Sequence, residues 1–300
     1  MPLASFAELM VDAERGGYAV GYFESWNLES ILAVCDAAEA TRSPVLLGFS
    51  GIYLSHPARV VRESLSLYSA LGHEAIRRLS IPACLVFNES PNFEWVLEAI
   101  ALGFGLVMFS DETLGFDGQL EQVRKVTEVA HRAGVAVEGE AAALPGVGGK
   151  LSALTENLRL TDPDAARNFI ERTGVDAFAV NVGQAHLHGR SRVRLNLARI
   201  VDLKQSLKVP LVLHGASSVD RTDLSAAIRL GIRKINVGSA LKSVYFEAVR
   251  RAIGRVGDSY NPYEVVGSGL DGDILTTGRV ALQKTVEDWM ILLNGERNNL

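Results

Sequence analysis

Cysteine is nearly absent: Cys35 and Cys84 are the two in 300 residues, and both sit inside apolar runs. That excludes a disulfide framework and implies a reducing compartment, hence a cytoplasmic protein. No apolar run approaches the roughly 18 residues of a membrane span. The opening Met1-Pro2-Leu3-Ala4-Ser5 lacks a basic stretch followed by an apolar one, so no signal peptide and no membrane contact are expected. A basic surplus is missing too. Lys and Arg number 30 against 35 Asp and Glu, a formal net charge of −5, which argues against a nucleic-acid partner. What is present is ordinary for a globular chain: 48% hydrophobic and 22% charged residues, enough for a large core and unlike disordered, collagen-like or coiled-coil sequences. The length is roughly that of two average domains. Yet no linker or low-complexity segment divides it, so a single domain over 1–300 is expected.

The dominant pattern is an alternation of strand and helix. Short β-rich runs occupy 19–23, 45–49, 83–87, 106–110, 135–138, 177–182, 210–214 and 234–237. Most are continuously apolar, as strands buried on both faces are. Amphipathic stretches lie between them at 27–40, 59–79, 93–102, 120–132, 164–173, 223–230 and 241–253. Thr161-Asp162-Pro163 supplies a cap and a first-turn proline. Gly103, Gly134, Gly174 and Gly231 close helices. A doubly wound sheet would need a glycine-rich turn after the first strand, and Glu24-Ser25-Trp26-Asn27 is not one. The pattern therefore predicts a single (β/α)₈ TIM barrel over about 5–255. A C-terminal helical extension covers about 256–300, its last helix over 278–293, packed on the barrel or on a neighbouring subunit.

In such a barrel the site lies where the strands end. Polar residues gather there: Glu24, Ser50, Asn88, Glu89, Ser110, Asp111, Glu140, His186, His188 and His214. Glu89, Glu140, His186 and His214 combine imidazole with carboxylate, which suits Zn²⁺ or a similar divalent ion. Each histidine alone reads as an ordinary hydrogen-bonded residue; convergence on one rim is what favours a metal. His188 is the rival ligand to His186, whereas His56, His73 and His131 read as surface residues. The turns His214-Gly215-Ala216-Ser217 and Asn236-Val237-Gly238-Ser239 offer backbone amides, small residues and hydroxyls to a phosphate. They also fit tight turns that need glycine for geometry alone. Arg190 could add charge to the same anion.

These residues resemble the class II, metal-dependent fructose-bisphosphate and tagatose-bisphosphate aldolase family. The likeness runs from about 5 to 250. It rests on Gly16-Gly17-Tyr18-Ala19-Val20-Gly21-Tyr22-Phe23, Val137-Glu138-Gly139-Glu140, Thr161-Asp162-Pro163 and Arg172-Thr173-Gly174-Val175-Asp176. Above all it rests on Val212-Leu213-His214-Gly215-Ala216-Ser217 and Lys234-Ile235-Asn236-Val237. The resemblance implies a TIM barrel, a homodimer or homotetramer, a divalent metal (commonly zinc), and reversible cleavage of a phosphorylated ketose through an enediolate. It places His186 and His214 on metal-ligand positions. Gly183, Gly215, Ser217, Asn236 and Ser239 fall on phosphate and substrate positions, Ser50 on a serine after strand 2, and Glu140 on a carboxylate near the metal.

Strand 3 departs from the family pattern His-x-Asp-His-Gly. Asn88 stands at the acid/base aspartate and Glu89 at the ligand histidine. Glu24, Ser110, Arg190 and Gly238 replace a usual Asn, Asp, Lys and polar residue. An amide does not transfer protons usefully near neutral pH, so cleavage of fructose 1,6-bisphosphate should be slow. Three readings follow: a metal-dependent lyase with an altered substrate or proton route through Glu140, Asp111 or Glu24; a non-catalytic sugar-phosphate binder on the same scaffold; or an enediolate isomerase.

Overall fold

The computed structural model describes residues 3–141, 160–184 and 193–295. The first half runs α1 (Phe6–Gly16), β1 (Val20–Ser25), α2 (Leu28–Thr41), β2 (Val45–Ser50), α3 (Gly51–Leu54), α4 (Leu65–Arg77), β3 (Ala83–Ser90), α5 (Phe93–Ala101), β4 (Leu106–Phe109), α6 (Phe116–Arg132) and β5 (Ala136–Glu140). The second continues α7 (Pro163–Thr173), β6 (Ala177–Ala179), α8 (Leu197–Ser206), β7 (Leu211–Leu213), α9 (Arg221–Arg229), β8 (Ile232–Val237), α10 (Ser239–Ile253), α11 (Pro262–Val265) and α12 (Ile274–Asn294). The eight strands close into a barrel in chain order, and β1 pairs in parallel with both β2 and β8. This is the (β/α)₈ fold that the alternation implies.

Side-chain alternation divides each strand between two cores. On β2, Val45, Leu47 and Phe49 join the outer layer under the helices, while Leu46 joins the interior. On β3, Ala83, Leu85 and Phe87 point outward and Cys84 and Val86 inward. Both faces are apolar, which is why these strands read as unbroken apolar runs. Phe6, Leu9, Met10 and Ala13 of α1 belong to the inner cluster. The backbone just before α1 bonds to the first residue of β3, Ala4 N to Ala83 O at 2.9 Å. Helix α1 thus closes the barrel at the N-terminal ends of the strands.

The strand–helix alternation in the sequence leaves α1 and α8 unmarked, although both carry local signals. Ser5 and Glu8 form a reciprocal capping box, and the buried residues of α1 recur at helical spacing. Asn196 caps α8 by accepting from Arg199 N at 3.0 Å. Other boundaries shift. The helix expected over 59–79 starts at Leu65; before it, Arg59 and Arg62 donate to the main-chain carbonyls of Val61 and Pro57. The sixth strand stops at Ala179 rather than at 182. There the amides of Val182 and Gly183 turn to side-chain acceptors on Gln184 and Asn181. The last helix begins at Ile274, where Asp273 accepts from Leu275 N at 2.8 Å. It packs on its own barrel: Trp289, Met290 and Leu293 enter the outer core, and Leu293 O accepts from Ala19 N at 3.1 Å.

The largest correction concerns strand ends. β1 runs through Ser25, β3 through Ser90 and β5 through Glu140. Glu24, Asn88, Glu89 and Glu140 therefore stand on hydrogen-bonded strands, not on the loops that follow.

Candidate active site

Above the apolar interior the inward positions turn polar. The face carrying Cys84 and Val86 continues to Asn88; β5 turns Glu138 and Glu140 inward, and β8 turns Lys234 and Asn236. Glu138 and Lys234 are both fully buried. An unpaired buried charge would be strongly destabilising, and neither is unpaired. Lys234 Nζ lies 2.8 Å from Glu138 Oε2 and donates to Asn236 Oδ1 at 2.6 Å. Asn236 Nδ2 donates to Asn88 Oδ1 at 3.3 Å, and Asn88 Nδ2 to Glu89 Oε2 at 2.7 Å. Glu89 Oε1 faces His214 Nδ1 at 3.1 Å, and His214 Nε2 faces Glu138 Oε1 at 2.6 Å. Six side chains from β3, β5, β8 and the end of β7 thus form a closed polar circuit.

Local backbone geometry makes the circuit possible. Glu89 has φ +47°, in the left-handed region, and the β3–β4 register shifts between Phe87 and Ser90. Regular alternation would send residue 89 outward. The irregularity instead brings the consecutive side chains of Asn88 and Glu89 to one face. Such a conformation costs a non-glycine residue about 1–3 kcal/mol.

The charges in this layer shift one another. Burial pulls the His214 imidazole down, but the carboxylates of Glu89 and Glu138 outweigh it and raise it to about 10. Burial works against ionised Glu138, yet Lys234 and His214 hold its carboxyl below the ordinary value. Glu140 stands outside the circuit and accepts a hydrogen bond from Ser110 Oγ. Burial, with repulsion from Glu89 and Glu138, pushes its carboxyl up to about 7 against the pull of His214 and the Ser110 hydroxyl.

A cavity of about 190 Å³ opens over the circuit. It is lined by Ser50, Asn88, Glu89, His214, Gly215, Ser217, Asn236 and Ser239, among others. Ser50 pairs in register with Asn88. Gly215 adopts φ +65°, opening a short 3₁₀ turn over Ala216–Ser218. The Ser217 hydroxyl accepts from Ala240 N at 3.3 Å and so ties this turn to the start of α10. Gly183 is turned away: its amide donates to Asn181 Oδ1 at 3.0 Å. His186, His188 and Arg190 lie outside the described residues. Of the remaining histidines, His131 faces Asp176 and His73 faces Leu102 O. Asp111 accepts from Thr113 at the turn after β4.

Several lining or circuit residues are not marked by the sequence patterns. Glu138 and Lys234 sit two positions before Glu140 and Asn236, so strand alternation already places them on the same inward face. Tyr22 contributes a buried hydroxyl with no hydrogen-bond partner among the described residues. Lys242 pairs with Glu24 and stands 4.3 Å from the Tyr53 ring centroid and 5.8 Å from that of Trp26.

The donor set fits a divalent ion that takes the place of the proton His214 Nδ1 shares with Glu89 Oε1. Glu89 Oε1 and His214 Nδ1 converge, and Glu138 engages the opposite ring nitrogen, the usual support that fixes the tautomer and orientation of a ligating imidazole. Among the described residues no three His, Cys, Asp or Glu side chains form a complete ligand group. The expected third ligand, His186, is outside them.

Known proteins show the same architecture. The YdjI aldolase from Escherichia coli K12 superposes with a TM-score of 0.80 at 25% identity, covering 99% of each chain. A Bacillus subtilis protein named "Probable fructose-bisphosphate aldolase" is 33% identical over 271 residues, 89% of this chain and 92% of that protein. The fructose-bisphosphate aldolase of Staphylococcus epidermidis is 32% identical over the same shares. Fold and relatives together define an aldolase-like carbon–carbon lyase. The model for class II fructose-bisphosphate aldolase matches residues 4–298, and the chain belongs to that family, whose members generally depend on a divalent metal and act on phosphorylated sugars. Among the described residues no helix is long and apolar enough to cross a membrane.

Proposed function

We propose that the protein catalyses reversible aldol cleavage of a phosphorylated ketose at the C-terminal mouth of the barrel. The convergence of Glu89 and His214 beneath the glycine-bearing turns carries this reading. Glu89, His186 and His214 would hold the metal, with Zn²⁺ favoured by the imidazole–carboxylate set. When bound, it would supply Lewis acidity to a substrate carbonyl. Gly215, Ser217 and Ser239 would receive a phosphate where α10 begins, since a helix N-terminus favours an anion. Arg190 would add charge at that end, Gly183 contributing no amide to it because that amide is bonded to Asn181, and Ser50 and Asn236 would orient substrate hydroxyls.

Asn88 cannot act as acid or base. Glu140 can: a buried carboxyl with a pKa of about 7 can hold or release a proton near neutral pH. Asp111 is committed to its turn and Glu24 to Lys242, which leaves Glu140 the best supported of the three.

Residues 1–300 would form one domain whose C-terminal extension carries α12. Two free, buried cysteines support a reducing, cytoplasmic setting. Exposed Phe246, Tyr260, Tyr263 and Leu270 support assembly into a homodimer or homotetramer.

The test is a screen of ketose mono- and bisphosphates for aldehyde release by Zn²⁺-loaded protein. Release from one member and from none of the unphosphorylated sugars is the expected result. Tight sugar-phosphate binding with no release would establish the non-catalytic binder instead. Ketose–aldose interconversion without cleavage would establish the isomerase.

A further inference from the structure

We propose that Asn88 is a positioning residue that orients the Glu89 carboxylate through a polar relay anchored on Lys234. This rests on the reading of Glu89 and His214 as metal ligands. Donors and acceptors fix the direction of the relay. An ammonium can only donate, so Lys234 fixes Oδ1 of Asn236 toward itself. Asn236 then presents its amide hydrogens to Asn88 Oδ1. That leaves the Asn88 amide hydrogens for Glu89 Oε2. One carboxylate oxygen is held, and the other points at His214 Nδ1. Flipping the Asn88 amide would set oxygen against carboxylate and NH₂ against NH₂, so the polarity has one consistent solution.

The backbone explains why a tether is needed. Glu89 reaches the inner face through a left-handed residue at a register shift. Its side chain is partly exposed at the cavity, and bonded ladder geometry does not set its rotamer. The neighbouring amide does. A carboxylate at 88 could accept from Asn236 but would face the Glu89 carboxylate with no proton between them. The pair Asn88–Glu89 is therefore one unit: glutamate at 89 requires a donor at 88, and an imidazole at 89 would not.

The experiment is a double-mutant cycle read by Co²⁺ affinity, using chelator competition, and by the visible spectrum of the Co²⁺ adduct. The four proteins are the parent, Asn88→Ala, Glu89→His and the double variant, with Asn88→Ser as the second probe if Asn88→Ala fails to fold. Asn88→Ala is expected to weaken Co²⁺ binding by about 10–100-fold and to alter the visible band in the parent, the usual loss for an outer-sphere partner. In the Glu89→His background it should change affinity less than about threefold. Equal loss in both backgrounds, or none in the parent, would overturn the relay. Glu89→Ala reports on the underlying reading separately, because unchanged Co²⁺ affinity there would remove Glu89 from the ligand set.

Discussion

Gly238 and Glu24 share one volume. A β-carbon on residue 238 would lie 2.4 Å from Glu24 Oε2, closer than real side chains approach. Glycine at the start of α10 is thus what lets the Glu24 carboxylate sit there and reach Lys242.

Gly238→Ala should therefore push the Glu24 carboxylate, the mobile end of its side chain, away from Lys242, at a cost of up to about 1 kcal/mol. Urea denaturation measures it. Adding Glu24→Ala should relieve most of that loss, so the double change costs less than the sum of the single ones. Strict additivity would disprove the shared volume.

Glu138→Gln should weaken metal binding by about 10–100-fold although residue 138 is not a proposed ligand. The carboxylate at 2.6 Å from Nε2 orients the imidazole, and an amide supports it less well. Isothermal titration with Zn²⁺ reads the change. An unaltered affinity would mean that His214 is held by its strand alone.

Dialysis against a chelator should abolish aldehyde release, and Zn²⁺ should restore it. His214→Ala should prevent restoration, and His186→Ala should do the same. If His188→Ala blocks restoration and His186→Ala does not, the third ligand is His188.

The pH dependence of stability follows from Glu140. Its pKa rises from 4.5 to about 7 on folding, so the folded state keeps a proton that the unfolded state has lost. Its contribution is complete below about 4.5, falls as pH rises, and is gone above about 7. The loss is on the order of 3 kcal/mol. Glu140→Gln removes the ionisation. In metal-free protein the variant should match the parent near pH 4.5 and melt roughly 5 °C higher at pH 8. Its cleavage rate at neutral pH should fall by about 10²–10⁴-fold.

Ser217→Asp should weaken binding of a phosphorylated ligand much more than tenfold, by setting like charge against the anion. Parallel titrations with a sugar and its phosphate check this. Equal parent affinities for the two would place the phosphate elsewhere.

How far the sequence leads depends on the kind of information each feature needs. The barrel is legible because parallel strands covered on both faces leave continuous apolar runs, as at 45–49 and 83–87. The circuit is only half legible. Asn88, Glu89, His214 and Asn236 announce themselves as polar residues at strand ends. Glu138 and Lys234 hide inside runs read as strand, and only tracking every second residue inward from Glu140 and Asn236 exposes them. The conformation of Glu89 is not encoded by a turn residue at all. A left-handed glutamate follows from the register shift beside β4, which local sequence does not reveal. Helix α1 was legible in principle through Ser5 and Glu8, but it precedes the first strand and falls outside the strand–helix alternation.

That helix has a consequence for traffic. With Phe6, Leu9, Met10 and Ala13 filling the floor, the barrel is a cup rather than a tunnel. Under the proposed reading, sugar, product and metal ion would share the doorway above the circuit. A ligand over Glu89 and His214 would then act as a stopper on an ion beneath it, and loading would come before the first turnover.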